Sequence, residues 1–110
     1  MGTFTKGDIV LFPFPYTDLS TRKLRPCLVL SEEFRDDILL CQITSKNIEP
    51  DAFTVEVAKD ETLNGSLQVN SYIRANMLFT AEKMQIIRKV CTLKEGKYKE
   101  VVKKVINLIS

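Results

Sequence analysis

Arg25-Pro26 is the place in this chain best suited to hold an anion. The arginine stands where a polar stretch, Tyr16 to Lys23 (YTDLSTRK), gives way to the apolar run that starts at Cys27. A guanidinium presents a planar fork of donors that fits a phosphate, and the proline fixes the backbone just after it. The competing reading is a surface arginine neutralised by Asp18 or by a glutamate. Its position between a loop able to move over a surface and a buried strand favours a functional role. A second candidate is Thr44-Ser45, where an apolar run ends and the polar Lys46-Asn47 begins. A hydroxyl there can donate to a phosphate oxygen, but Thr and Ser are common at strand ends and the pair alone is a weak signal. Lys46, if it faces the same groove, would add affinity for phosphate. The third candidate is Arg74-Ala75-Asn76, in which the asparagine can hydrogen-bond but cannot act as a base at neutral pH.

Other chemistries are excluded by composition. The chain has no histidine, and its three cysteines, Cys27, Cys41 and Cys91, are far apart with no C-x-x-C spacing. The usual zinc sites and every histidine-based triad are therefore absent. Cys27 and Cys41 read as small core residues in a reducing compartment.

The elements that must position these groups are mostly strands. Gly7-Asp8 precedes Ile9 to Phe12, an apolar run bounded by turn residues that reads as a strand buried on both faces. Pro13 and Pro15 are expected to stop its ladder pairing. Cys27 to Ser31 is predicted as a second strand and Ile38 to Ile43 as a third, across the charged turn Glu32 to Asp37. Phe53 to Val57 alternates at period two. Asn64-Gly65 signals a turn, with strands expected over Leu67 to Ile73 and Met84 to Val90. Ala75 to Lys83 is ambiguous, with a short strand and a turn around Thr80 to Lys83. From Lys94 the apolar spacing becomes helical through Tyr98, Val101, Val102, Val105, Ile106 and Ile109, predicting an amphipathic helix over about 94–109. Its lysines Lys97, Lys99, Lys103 and Lys104 read as the solvated complement of that stripe. Many short strands and one terminal helix predict a mainly β fold, a small twisted barrel with a C-terminal helix, in one domain over 1–110.

With 16 Lys and Arg against 14 Asp and Glu, the net charge of +2 gives little global pull on polyanions, so any such binding must come from a local cluster. No signal pattern opens the chain, and no apolar run approaches the roughly 18 residues of a membrane span. The expectation is a cytoplasmic protein without a membrane partner.

The pattern G-D-I-V-x-x-x-F-P, a polar loop, then L-R-P-x-L-V-L-S resembles the PemK/MazF family of toxin endoribonucleases from type II toxin-antitoxin systems. Gly7, Asp8, Pro13, Pro15, Asp18, Leu24, Arg25, Pro26 and Leu28 to Ser31 carry the match, with support from Gln42 to Ser45 and Ser71 to Thr80. The resemblance implies an SH3-like β-barrel that forms a homodimer and needs no cofactor. It implies cleavage of single-stranded RNA by attack of the 2′-hydroxyl, with Arg25 and Thr44 as the catalytic pair. Tyr16, Thr17, Asp18, Ser20 and Lys23 would close over the RNA, and Ser45, Lys46, Arg74 and Asn76 would line its path. Phe14 and Tyr16 are candidates to stack a base, although aromatic residues beside prolines are as often core. Some members carry Arg-x-Asp at Arg74 to Asn76, so the asparagine places a base mechanism there in doubt. The implied partner is a small antitoxin, with operator DNA reached only through it. The alternative is a non-catalytic barrel that binds a protein target or acts with an antitoxin as a repressor.

Overall fold

The chain enters its first strand through a turn that needs glycine. Gly7 holds φ at 93°, in the left-handed region. Its amide donates to the Val29 carbonyl at 2.9 Å and its own carbonyl accepts from Leu93 at 2.8 Å, so one residue ties three strands together. The computed structural model describes residues 3–15, 22–46, 49 and 51–110, with the side chains of Pro15 and Arg22 left aside. The elements are β1 (Asp8–Pro15), β2 (Arg22–Val29), β3 (Asp37–Thr44), β4 (Thr54–Val57), β5 (Thr62–Leu63), β6 (Ser71–Glu82), β7 (Arg88–Leu93) and α1 (Glu95–Ile109). A 3-10 turn, Lys83–Gln85, links β6 to β7. The strands form one antiparallel sheet in the order β4-β6-β3-β2-β1-β7-β5, curled into a half-barrel.

Both faces of this sheet are covered, as the continuous apolar runs of β1 to β3 require. Ile9, Leu28, Cys41, Ile43, Ile73 and Cys91 pack on the inner face, where Val101 of α1 is fully buried with Tyr98 and Val105 beside it. Val10, Cys27, Val29, Ile38 and Leu40 fill the other face. That second cluster is closed by Phe12, Phe14 and Phe79, whose rings meet edge to face at 5.4–5.5 Å. Each such fully buried Ile, Leu or Val stabilises the fold by roughly 1.5–3 kcal/mol. All three cysteines are buried and unpaired; burial pushes the Cys41 thiol up to about 12 and Cys27 higher still, leaving both in the unreactive form.

Several elements differ from the sequence reading. Pro13 and Pro15 do not stop β1, which pairs with β2 as far as Pro15↔Arg22. Alternate residues of a strand direct their backbone groups to the same side. The Leu11 carbonyl accepts from Ile87 on the β7 side at 2.9 Å, so Pro13 and Pro15 present their missing donors to that same side. The pairing of β1 with β7 ends at Leu11↔Arg88, and the prolines face an edge where no ladder bond is lost. In consequence β2 begins at Arg22, and Arg25 lies inside a strand rather than ahead of one. Of the ambiguous stretch 75–83, residues 75–82 belong to a twelve-residue strand, β6, and Lys83 opens the 3-10 turn. The strand expected over Met84 to Val90 begins only at Arg88, after the 3-10 turn. Two helix lysines also do more than meet solvent: Lys97 donates to the Glu56 carbonyl at 2.8 Å and Lys104 to the Ala52 carbonyl at 3.1 Å. Among the described residues no helix is long and apolar enough to cross a membrane.

Candidate functional site

The β2–β3 ladder runs through Val29↔Leu40 and Leu28↔Cys41 and stops at Cys27↔Gln42. Extended by two residues, that register sets Arg25 opposite Thr44, and directly opposed residues of an antiparallel pair share one face. The ladder is not formed there. The two strand ends separate, with Lys23, Leu24, Arg25 and Pro26 along one lip of a cavity of about 380 Å³ and Ile43, Thr44 and Ser45 along the other. Its remaining walls are Leu67 to Val69 with Ser71, on the chain entering β6, and Leu11, Arg88 and Val90 from β1 and β7.

The lining has a distinct chemical character. Its apolar part includes Leu11, Pro26, Ile43, Leu67 and Val90. Lys23, Arg25 and Arg88 add three positive charges, Thr44, Ser45 and Ser71 add hydroxyls, and no carboxylate is present. Among the described residues none of the three cations has an ion-pair partner. Arg25 and Thr44 are half-buried, whereas Lys23, Ser45 and Arg88 are exposed. The Thr44 oxygen accepts the Lys46 amide at 3.1 Å, a bond that leaves the hydroxyl proton available to donate. The Ser71 hydroxyl is engaged with the Val69 carbonyl at 3.0 Å, which fixes the wall it stands in. Among the described residues no cluster of three His, Cys, Asp or Glu is placed to hold a metal ion. Cations and hydroxyls over an apolar floor form the donor set for an anion attached to a flat, weakly polar group.

Of the residues singled out from sequence, Arg25, Thr44, Lys23 and Ser45 come together here. Lys46 is exposed and outside the lining, contributing its amide to Thr44. Arg74 and Asn76 lie elsewhere. Along β3–β6 the pairing passes from Cys41↔Leu78 to Ile43↔Ile73, so β6 spends extra residues between Ile73 and Leu78 in turning the corner of the half-barrel. Asn76 sits exposed on that bend. Arg74 pairs in register with Thr54 and faces Asp51, whose carboxyl is held below its usual range by the Phe53 amide and the Thr54 hydroxyl, with help from Arg74. Tyr16, Thr17, Asp18 and Ser20 fall outside the described residues. Arg88 was not found from sequence: nothing local marks it, because its place in the wall is set by the Leu11↔Arg88 pairing between distant segments.

A family model described as PemK-like, MazF-like toxin of type II toxin-antitoxin systems matches residues 5–109. MazE-MazF (form III) from Deinococcus radiodurans superposes with a TM-score of 0.79 at 18% identity, covering 98% of this chain and 97% of that one. MazF (form I) from the same organism gives 0.74 at 22% identity, over 99% and 98%. An endoribonuclease from a mycobacterial species, in complex with its cognate antitoxin, gives 0.75 at 11% identity, over 94% and 92%. At these identities the structural likeness speaks for the fold alone. No curated protein matches the sequence.

Proposed function

This chain belongs to the PemK-like, MazF-like toxins of type II toxin-antitoxin systems, and from that premise we propose that it is an endoribonuclease acting on single-stranded RNA in the cleft between β2 and β3. The observation that carries the reading is that Arg25 and Thr44 line one cavity just beyond the end of the β2–β3 ladder, in a lining with three cations and no carboxylate. A phosphodiester seated there receives donors from the Arg25 guanidinium on its non-bridging oxygens, where charge grows in the transition state. The Thr44 hydroxyl orients the adjacent ribose so that its 2′-oxygen stands in line with the departing 5′-oxygen. The new bond joins the 2′-oxygen to phosphorus as the bond to the 5′-oxygen breaks. The products are a 2′,3′-cyclic phosphate and a 5′-hydroxyl, the proton shed by the attacking 2′-hydroxyl passing to solvent and the departing 5′-oxygen taking one up from solvent. Lys23 and Arg88 hold the neighbouring phosphates, and binding accordingly weakens with salt.

The partner in this reading is a cognate antitoxin with an acidic and apolar segment that competes for the same cleft, since the lining offers cations and exposed apolar side chains such as Leu24 and Val69. The mycobacterial neighbour was solved in complex with its cognate antitoxin. Incubating the protein with a long mixed-sequence RNA in excess EDTA tests the cleavage. Fragments ending in cyclic phosphate, lost in Arg25→Ala and Thr44→Val proteins that melt normally, support it; RNA that stays intact at high protein concentration refutes it and leaves a binding module.

A further inference from the structure

Next to the cleft lies a second cavity, of about 530 Å³, that the proposed cleavage does not use. Its wall includes Phe4, Met84, Ile86 and Ile87, with Arg88 and Lys89 beside them. Arg88 lines both cavities, so they meet at that residue. Met84 is 74% exposed and Ile87 54%, yet neither is on a loose segment. The turn that carries them is held by the Lys83 amide on the Asp36 carbonyl at 2.8 Å, by Ile86 on Lys83 at 3.1 Å and by Ile87 on Leu11 at 2.9 Å. Apolar side chains kept in water by a fastened turn are a preformed surface for a flat apolar ligand. The charges are equally selective. Lys83 is occupied by Glu33 at 2.8 Å and Lys89 by Asp8 at 3.0 Å, whereas Arg88, on the shared boundary, has no carboxylate partner among the described residues.

We infer that this cavity is a subsite for a nucleotide flanking the scissile bond, its base lying on Phe4, Met84 and Ile87 and the intervening phosphate held by Arg88. The inference rests on the reading of the cleft as an RNA site. Its occupant is the same single strand, because a polyanion leaving the cleft past Arg88 meets the apolar surface directly. Stacking on such surfaces tolerates any base, so the subsite adds affinity without adding sequence preference.

The test uses the whole protein with randomised-sequence RNA bearing 2′-O-methyl groups, which block the attacking oxygen. Oligonucleotides of about four and about nine nucleotides are compared by fluorescence anisotropy. Wild type should bind the longer RNA about tenfold more tightly than the shorter, and Ile87→Glu and Met84→Glu should each abolish most of that difference. Both positions are exposed, and thermal melts verify that the variants fold. A length advantage that survives both changes overturns the subsite while leaving the cleft reading intact. A change in sedimentation of either variant from a larger species to a monomer overturns it in favour of a contact between copies of the chain. Binding of neither length removes the RNA reading itself, and the subsite with it.

Discussion

Arg88 and Lys89 are consecutive residues of one strand, and they meet opposite fates. Successive strand side chains point to opposite faces. Lys89 finds the buried carboxylate of Asp8 at 3.0 Å, while Arg88 enters a wall of the cleft where no acid answers it. The contrast extends to the regions around them. Lys83, Lys97 and Lys99 pair with Glu33, Glu61 and Glu95 and fasten the turn and the helix. Around the cleft Lys23, Arg25 and Arg88 have no ion-pair partner among the described residues. A net charge of +2 hides this division. Like charges gathered in a concavity oppose folding mildly and attract a polyanion strongly, so on the proposed reading the unneutralised group serves the RNA and the neutralised group the fold.

Substitutions on the two sides should therefore separate activity from stability. The largest effect is expected from Arg25→Ala, which removes the donor facing the developing phosphoryl charge and should lower the cleavage rate about 10²–10³-fold in a gel assay, with the melting temperature unmoved. Across the divide, Asp8→Ala deletes the acceptor of the Thr5 amide at 2.9 Å and strands Lys89. It should cost about 1–3 kcal/mol in denaturant unfolding while the folded fraction cuts RNA at the normal rate. Thr44→Val keeps the shape and deletes the hydroxyl, for a loss of about tenfold in rate. The smallest effect is expected at Glu33, which accepts from Lys83 and from the Phe4 amide, both at 2.8 Å. The Lys83 bond, then the Phe4 bond, hold its carboxyl below the usual value. A depressed carboxylate contributes stability above its unfolded pKa and loses it as pH falls through the folded one. The melting difference between wild type and Glu33→Gln should then be present at neutral pH and vanish in strong acid. A Glu33→Gln protein that lost cleavage at neutral pH while melting normally would break the division between the two regions.

How far the sequence foretold this molecule depended on how local each cause was. The helix was legible because Tyr98, Val101 and Val105 repeat at its period, and the observed Glu95–Ile109 lies within a residue of the expectation. The apolar runs of β1 to β3 announced burial on both faces. The tolerance of β1 for its prolines is not visible in the sequence, because it depends on which side lacks a neighbour, a fact of topology. For the same reason β2 starts well before its apolar run: its charged beginning, Arg22 to Arg25, becomes strand only by pairing with Pro15 to Phe12. In the cleft, Arg25 and Thr44 were marked by their position at the ends of apolar runs. Arg88 carried no such mark, since register alone brings it there.

Gly65 shows how little material sets the width of the cleft. It holds φ at 133°, and a β-carbon at that position would run into the Val90 carbonyl oxygen and crowd Cys91. The segment that follows supplies Leu67, Gln68 and Val69 to one wall, and Val90 belongs to another. The hydrogen that glycine carries in place of a methyl group is thus the spacer between two sides of the aperture, and any bulkier residue there must either shift the 67–69 wall or bend β7.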